Sequence, residues 1–292
     1  MKREFFHYGG QAVIEGVMMR GPEEIATSVR TPSGAIETHV EEIRGGQAFY
    51  DRLPILRGIA ALYESLYDGT RSLLLSASLA GEEDMTKGDI ALTVTGSFLS
   101  AAFFFFLLPT MAVHWMSALS GSPVLQNLTE GLIRLFLFLA YLWGISCMKE
   151  IRRVFEYHGA EHKTIFCYEK GRPLTVENVR RQSRLHPRCG TNFLMIVMVV
   201  SIFAFAFLGW PDLLPRLASR LALIPVIAGI SYEWLRFAAD SGSSVVRWMN
   251  RPGLYLELLT TREPQDDQIE VAIAALSAAA HIEIEEMHEK NH

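Results

Sequence analysis

From Ile90 to Thr129 the chain carries no Asp, Glu, Lys or Arg. Few water-soluble domains contain so long an uncharged run, whereas a bilayer demands one. Its hydrocarbon core is about 30 Å thick and takes about 20 apolar residues per helix. The heart of the run, Phe98-Leu99-Ser100-Ala101-Ala102-Phe103-Phe104-Phe105-Phe106-Leu107-Leu108, predicts a first span. A bend is expected at Pro109 and a turn at Gly121-Ser122-Pro123. A second span is expected from Leu128 to Met148, with Arg134 near one end, and a third from Thr191 to Gly209. The weakest run, Leu217 to Leu235, carries Arg220 and Pro225. It reads as a fourth span, with a re-entrant or interfacial helix as the alternative. The expected fold class is an α-helical membrane protein of about four transmembrane helices with a small α+β cytoplasmic domain.

Charge orients the chain. Nine Lys and Arg precede the first span, ten lie between Lys149 and Arg188, and five follow from Arg236 onward. The other two connections hold only Arg134, Arg216 and Arg220. By the positive-inside rule this predicts a multi-pass cell-membrane protein with both termini cytoplasmic. The chain then divides into a cytoplasmic hairpin and amphipathic helix (1–89), spans one and two (90–148), a histidine-bearing cytoplasmic segment (149–190), spans three and four (191–235) and a cytoplasmic C-terminal region (236–292). The opening Met1-Lys2-Arg3-Glu4 runs into a polar, Gly-containing stretch and does not read as a cleavable leader. A net charge of −5 argues against nucleic acid as a partner. Membrane lipids, and possible membrane protein partners, are the expected neighbours. Three scattered cysteines, Cys147, Cys167 and Cys189, do not form a disulfide framework.

Residues 9 to 45 have hairpin grammar. Val13 to Met19 leads into a Gly21-Pro22 turn, and Ala26 to Thr31 meets Gly34 to Val40 through Pro32-Ser33. Apolar residues at three- and four-residue spacing from Phe49 to Tyr67 predict a helix over 47–80, packed on the domain or lying on the membrane surface. Near the C-terminus, Gln268 to Ala280 predicts an Ala-rich helix with Asp266 and Asp267 at its positive end.

The segment Tyr157-His158-Gly159-Ala160-Glu161-His162-Lys163 carries the clearest chemistry. On a helix, His158 and His162 share one face, about 5–6 Å apart at Cβ, and Glu161 can reach that face. The order H-x-x-E-H is that of the inverted zinc proteases. There, neutral imidazoles hold Zn²⁺ and the carboxylate takes a proton from water. Gly159 inside the motif weakens the helix by about 1 kcal/mol. The competing reading is a pair of surface histidines in a basic juxtamembrane stretch. His186-Pro187-Arg188-Cys189-Gly190 returns a further imidazole and thiol to the same membrane face. Glu233, at the end of the fourth run, is another candidate ligand, or else the ion-pair partner of Arg236. Glu15, in an apolar strand, needs a partner such as Arg20, or a metal.

These stretches, with Gly9-Gly10-Gln11-Ala12-Val13-Ile14-Glu15-Gly16-Val17-Met18-Met19-Arg20-Gly21-Pro22, resemble the bacterial YqhQ-like membrane family, often labelled a predicted metal-dependent enzyme. The resemblance covers nearly the whole chain and implies a membrane location and a site built from these motifs. It supplies no substrate. The functional expectation is a zinc-dependent hydrolase at the cytoplasmic membrane surface, acting on a lipid-linked or membrane-proximal substrate. His158, His162 and His186 would be metal ligands, with Glu233 or Cys189 as alternates. Glu161 would be the general base, and Arg188 would stabilise developing negative charge. The alternative is a non-enzymatic assembly factor, scaffold or transporter subunit in which the same cluster is a structural knot.

Overall fold

The computed structural model describes residues 8–43, 52–81, 86–116 and 122–282. Four strands, β1 (Gly9–Val13), β2 (Gly16–Arg20), β3 (Glu24–Arg30) and β4 (Ile36–Glu42), form an antiparallel meander in sequence order. The run from Val13 to Met19, expected as one strand, is broken by a two-residue turn. Val13 pairs with Gly16 across Ile14-Glu15, and Glu15 takes φ 49°, a left-handed conformation uncommon outside glycine. Its carboxylate is forked by Arg153, with one contact at 2.5 Å, and accepts from the Tyr157 hydroxyl at 3.3 Å. Arg20, the partner expected from sequence, turns instead to Glu64 (2.7 Å) and Asp68.

The period-2 alternation of strands distributes the sheet between two packing partners. Val17, Met19 and Ala26 enter one core with Tyr157, Ala160, Ile269, Ala272 and Leu276. Met18 and Ile25 point the other way with Val13. On that second face lies α1 (Leu56–Leu79), fastened by Thr27 Oγ1 donating to Ser72 Oγ at 3.2 Å and by the Ile14 N–H donating to Ser76 Oγ at 3.1 Å. The amphipathic helix expected over 47–80 therefore packs on the domain and also against the helix Leu213–Asp240, while Tyr63, Leu66 and Tyr67 remain exposed. Phe49 and the rest of 44–51 lie outside the described residues.

Among the described residues, three helices are long and apolar enough to cross a membrane: Gly88–Met116, Pro123–Ser146 and Leu213–Ala239. The first joins α2 (Lys87–Ala102), a π-helical turn (Phe103–Leu107) and α3 (Leu108–Met116). The cause of the irregularity is local. Pro109 has no N–H to offer the carbonyl four residues back, and that carbonyl, Phe105 O, accepts from Arg134 Nε at 2.7 Å. The second long helix is α4 (Pro123–Ser146). The two later runs exchange rank. The strongly apolar one forms α7 (Gly190–Ala206), only 17 residues, closed off before Gly209 at φ 70°. The weaker one extends into α8 (Leu213–Asp240), with Pro225 inside the helix.

The remaining helices are α5 (Lys149–Glu169), α6 (Val176–Arg180), α9 (Ser244–Met249), α10 (Arg251–Thr260) and α11 (Asp266–Ala279). The C-terminal helix forms where expected. It is buried almost all round between the sheet and α5. A second apolar core joins Phe138 and Leu142 of α4, Met195 of α7 and Leu256 of α10.

Candidate metal centre

Helix α5 sets the site. His158 and His162 stack along one face, ring centroids 4.4 Å apart. Each is oriented by a backbone carbonyl. His158 Nδ1 lies 2.8 Å from Thr260 O, and His162 Nδ1 lies 2.6 Å from Arg184 O. A ring nitrogen facing a carbonyl carries the proton, so in the neutral imidazole it is Nε2 that keeps the lone pair. That tautomer is the one metal-binding histidines adopt when the outer shell holds Nδ1–H. Cys189, the N-cap of α7, brings its sulfur to 3.2 Å from His158 Nε2. Ligand atoms of His158, His162 and Cys189 all lie within 4.8 Å of one another. For comparison, a tetrahedral zinc with nitrogen and sulfur ligands separates them by about 3.5 Å.

Two buried carboxyls flank this trio. Glu161 lies 3.9 Å from His158 Nε2 and accepts from the Gly10 N–H. Only a glycine fits at position 10, because a Cβ there would stand 2.8 Å from the Glu161 side chain. Glu257, on α10, accepts the His186 N–H at 2.6 Å and lies 3.7 Å from His162 Nδ1. Its Oε1 is buried with no hydrogen-bond partner among the described residues. Burial, the largest cause for both, pushes Glu161 and Glu257 up to about 7. It also raises the Cys189 thiol and lowers His162 well below the ordinary imidazole range. Every one of these shifts disfavours charge, as burial away from water does. A divalent cation fits: it would find two imidazole nitrogens and a thiol it can deprotonate, with the Glu161 carboxyl 3.9 Å from His158 Nε2.

The other expected site residues fall into two groups. His186 stands beside the trio, its ring centroid 5.6 Å from that of His162, and its Nε2 faces Glu169 at 3.6 Å. Arg188 is also paired to Glu169. Both line the same cavity of about 490 Å³ as His158, Glu161, His162 and Cys189. Glu233 does not join them. Its carboxylate is forked by Arg57 of α1, with Nε at 2.6 Å, so neither the metal role nor the Arg236 pairing expected from sequence is realised. The buried carboxylate that a later helix does bring near the histidines is Glu257, on the Nδ1 side of His162. Its sequence signal was present: a lone acid inside Leu254-Tyr255-Leu256-Glu257-Leu258-Leu259.

Gly159 also finds its reason here. A Cβ on it would lie 2.0 Å from Arg262 O, and Arg262 donates its N–H to Phe155 O at 2.8 Å. The glycine lets the chain after α10 lie directly on α5, which is how Thr260 O reaches His158.

Fold and site together define a class: a helical chain with membrane-length helices and a buried His/Cys/Glu centre beside a small antiparallel sheet. Residues 53–282 match the model of a family described as "Protein of unknown function (DUF1385)". The chain is 38% identical over 299 aligned residues to "Uncharacterized protein YqhQ" of Bacillus subtilis (strain 168), covering 94% of this chain and 93% of that one. It belongs to this YqhQ-like DUF1385 family. No solved structure matches it.

Proposed function

We propose that this protein is a membrane-bound, metal-dependent hydrolase whose site faces the cytoplasmic surface and acts on a lipid-linked or membrane-proximal substrate. The observation that carries the reading is the convergence of His158, His162 and Cys189 with both Nδ1 atoms tied to carbonyls. Zinc suits that donor set. When bound it would polarise a substrate carbonyl or phosphoryl group and acidify water. Glu161 sits beside the trio with a proton affinity near neutrality, which suits a general base. Arg188 borders the same cavity and suits developing negative charge. The open volume beside the trio favours catalysis over a structural site, which closes its metal inside four protein ligands.

The packing supports four crossings. The sheet, α5 and α11 share one core, so they lie on one side of any membrane. Helices α2–α3 and α4 intervene between β4 and α5, and α7 and α8 intervene between α5 and α11. An even number of crossings is needed in each interval, so α7 crosses if α8 does. At about 1.5 Å per residue its 17 residues reach about 26 Å, near the lower limit for a span. The positive-inside distribution of Lys and Arg supports a cytoplasmic position for the shared core and for both termini.

Elemental analysis of the detergent-purified full-length chain tests the reading. One zinc per chain is expected in the wild type and in Glu161→Gln, and loss of the metal in His158→Ala and His162→Ala. A folded wild-type protein without stoichiometric metal overturns the proposal.

A further inference from the structure

A second cavity, of about 780 Å³, lies against the first. The segment from Ser183 to Cys189 is the wall between them. Leu185 and Pro187 line the second cavity, His186 and Cys189 line the metal side, and Arg188 lines both. The far wall of the second cavity is α9 and the start of α10, with Arg247, Trp248 and Arg251. Among the described residues its lining holds three arginines and no acidic residue, and of the three Arg188 is paired outside the lining with Glu169. Among the described residues, Arg247 donates only to the Ser244 hydroxyl, at 3.1 Å, and neither Arg247 nor Arg251 is paired with a carboxylate. Most other arginines of this chain are paired: Arg20, Arg30, Arg57, Arg134, Arg153, Arg180 and Arg220 all have acidic partners. A concave site with surplus guanidinium charge selects a phosphoryl group.

Its position says which source of phosphate it serves. Ala238 and Ala239 line it, and the third long apolar helix ends at Ala239. Immediately beyond, α9 exposes Val245, Trp248 and Met249 along one face. An exposed Trp beside arginines at the end of a membrane-length helix matches the headgroup layer, where aromatic rings and basic side chains both settle. We propose that this arginine cavity seats the phosphoryl headgroup of a membrane lipid and that the substrate of the metal centre is such a phospholipid or phosphate-linked lipid. The proposal rests on the hydrolase reading for the word substrate, and on the cavity alone for the binding site. The lipid's phosphate sits on Arg247 and Arg251, one loop thickness from His186 and Cys189.

The test uses the full-length protein in a neutral detergent. The probes are dihexanoyl phosphatidic acid, inorganic phosphate and dihexanoylglycerol, titrated by microscale thermophoresis, with zinc measured on the same samples. Phosphatidic acid is expected to bind at least about tenfold more tightly than either single-feature probe. The double variant Arg247→Gln/Arg251→Gln is expected to weaken it by about tenfold or more, with zinc content unchanged as the sign of an intact fold. Arg236→Gln, an exposed arginine at the same end of α8 but outside the cavity, is expected to change it less than about twofold. Equal weakening by Arg236→Gln would mean diffuse charge attraction and overturn the site. Inorganic phosphate binding as tightly as the lipid would overturn the lipid source. Lipid binding by a zinc-free wild type would sink the hydrolase and keep the cavity. Zinc without lipid binding would do the reverse.

Discussion

The chain buries two polar clusters, and they are opposite in kind. In the helix bundle, Arg134 and Arg220 share one oxygen of Glu130. Their other donors end on Phe105 O, Thr110 Oγ1 and Asn127 Oδ1, and both guanidiniums lie over the Phe205 ring at 5.2 and 5.3 Å. In the candidate metal centre acceptors gather instead: the His162 and His158 Nε2 atoms and the Cys189 sulfur, the last two facing each other at 3.2 Å, with Glu257 Oε1 nearby and without a partner among the described residues. Glu130 Oε2 has no partner among the described residues, but the guanidinium donors are met by acceptors, and that is a structural solution to burying charge. A cluster of acceptors lacking a cation, with a cavity beside it, is an arrangement that a ligand completes. The first should therefore matter mainly to stability and the second mainly to metal binding.

The largest effect should come from the bundle. Glu130→Ala leaves two buried guanidiniums without their anion, and breaking a buried pair in this way costs about 3–5 kcal/mol. Thermal unfolding in detergent should show a large drop, with zinc retained by whatever fraction remains folded. Wild-type melting of Glu130→Ala would erase the distinction between the two clusters.

The metal centre should show its character in pH dependence once the metal is stripped. Burial raises Glu161 from 4.5 to about 7. The folded state then keeps a proton that the unfolded chain releases near 4.5. The stability linked to this carboxyl is full below 4.5, falls as pH rises, and is gone above about 7. The change is of order 3 kcal/mol. Chelator-treated wild type should melt lower at pH 8 than at pH 5, and Glu161→Gln should flatten that slope. Glu257 adds a second contribution of the same sign. Restored zinc should stabilise most at the alkaline end, where the ligands are deprotonated. A metal-free protein more stable at pH 8 than at pH 5 would contradict the burial of these acids.

Gly159→Ala comes next and has a diagnostic sign. Helix propensity alone predicts a gain of about 1 kcal/mol. The contact with Arg262 O predicts a loss, since overpacking costs about 1–3 kcal/mol. It also predicts weaker zinc binding by about 10–100-fold, because the chain that holds His158 Nδ1 is displaced. Stabilisation with unchanged zinc affinity would mean that this chain does not dock on α5.

What the sequence disclosed followed from short-range patterning. The charge-free run, the hairpin turns and the Ala-rich C-terminal helix all became elements, because periodicity and turn chemistry act over a few residues. The spacing of His158 and His162 became a shared face for the same reason. What stayed hidden depended on long-range approach. The break at Ile14-Glu15 is held by Arg153, far along the chain. The pairing of Arg134 with Phe105 O answers a proline on another helix. Glu257 becomes a site residue only because α10 folds back onto α7, and no spacing rule reaches across that distance.

Glu233 tests the comparison where the expected effect is smallest. From sequence it stands at the end of an apolar run and invites the role of a ligand. In the structure its two oxygens are both occupied by Arg57, so it belongs with the satisfied ion pairs. Among the described residues it forms no ion pair with the histidines, whereas Glu257 lies 3.7 Å from His162 Nδ1. Glu233→Gln should therefore leave zinc stoichiometry and affinity at wild-type values and reduce thermal stability modestly, by loosening α1 from α8. The same substitution at Glu257 should weaken zinc binding, because there the carboxyl has an oxygen without a partner. If Glu233→Gln lost zinc while Glu257→Gln kept it, the centre would have to be rebuilt around α8, and the division between satisfied and unsatisfied clusters would fail with it.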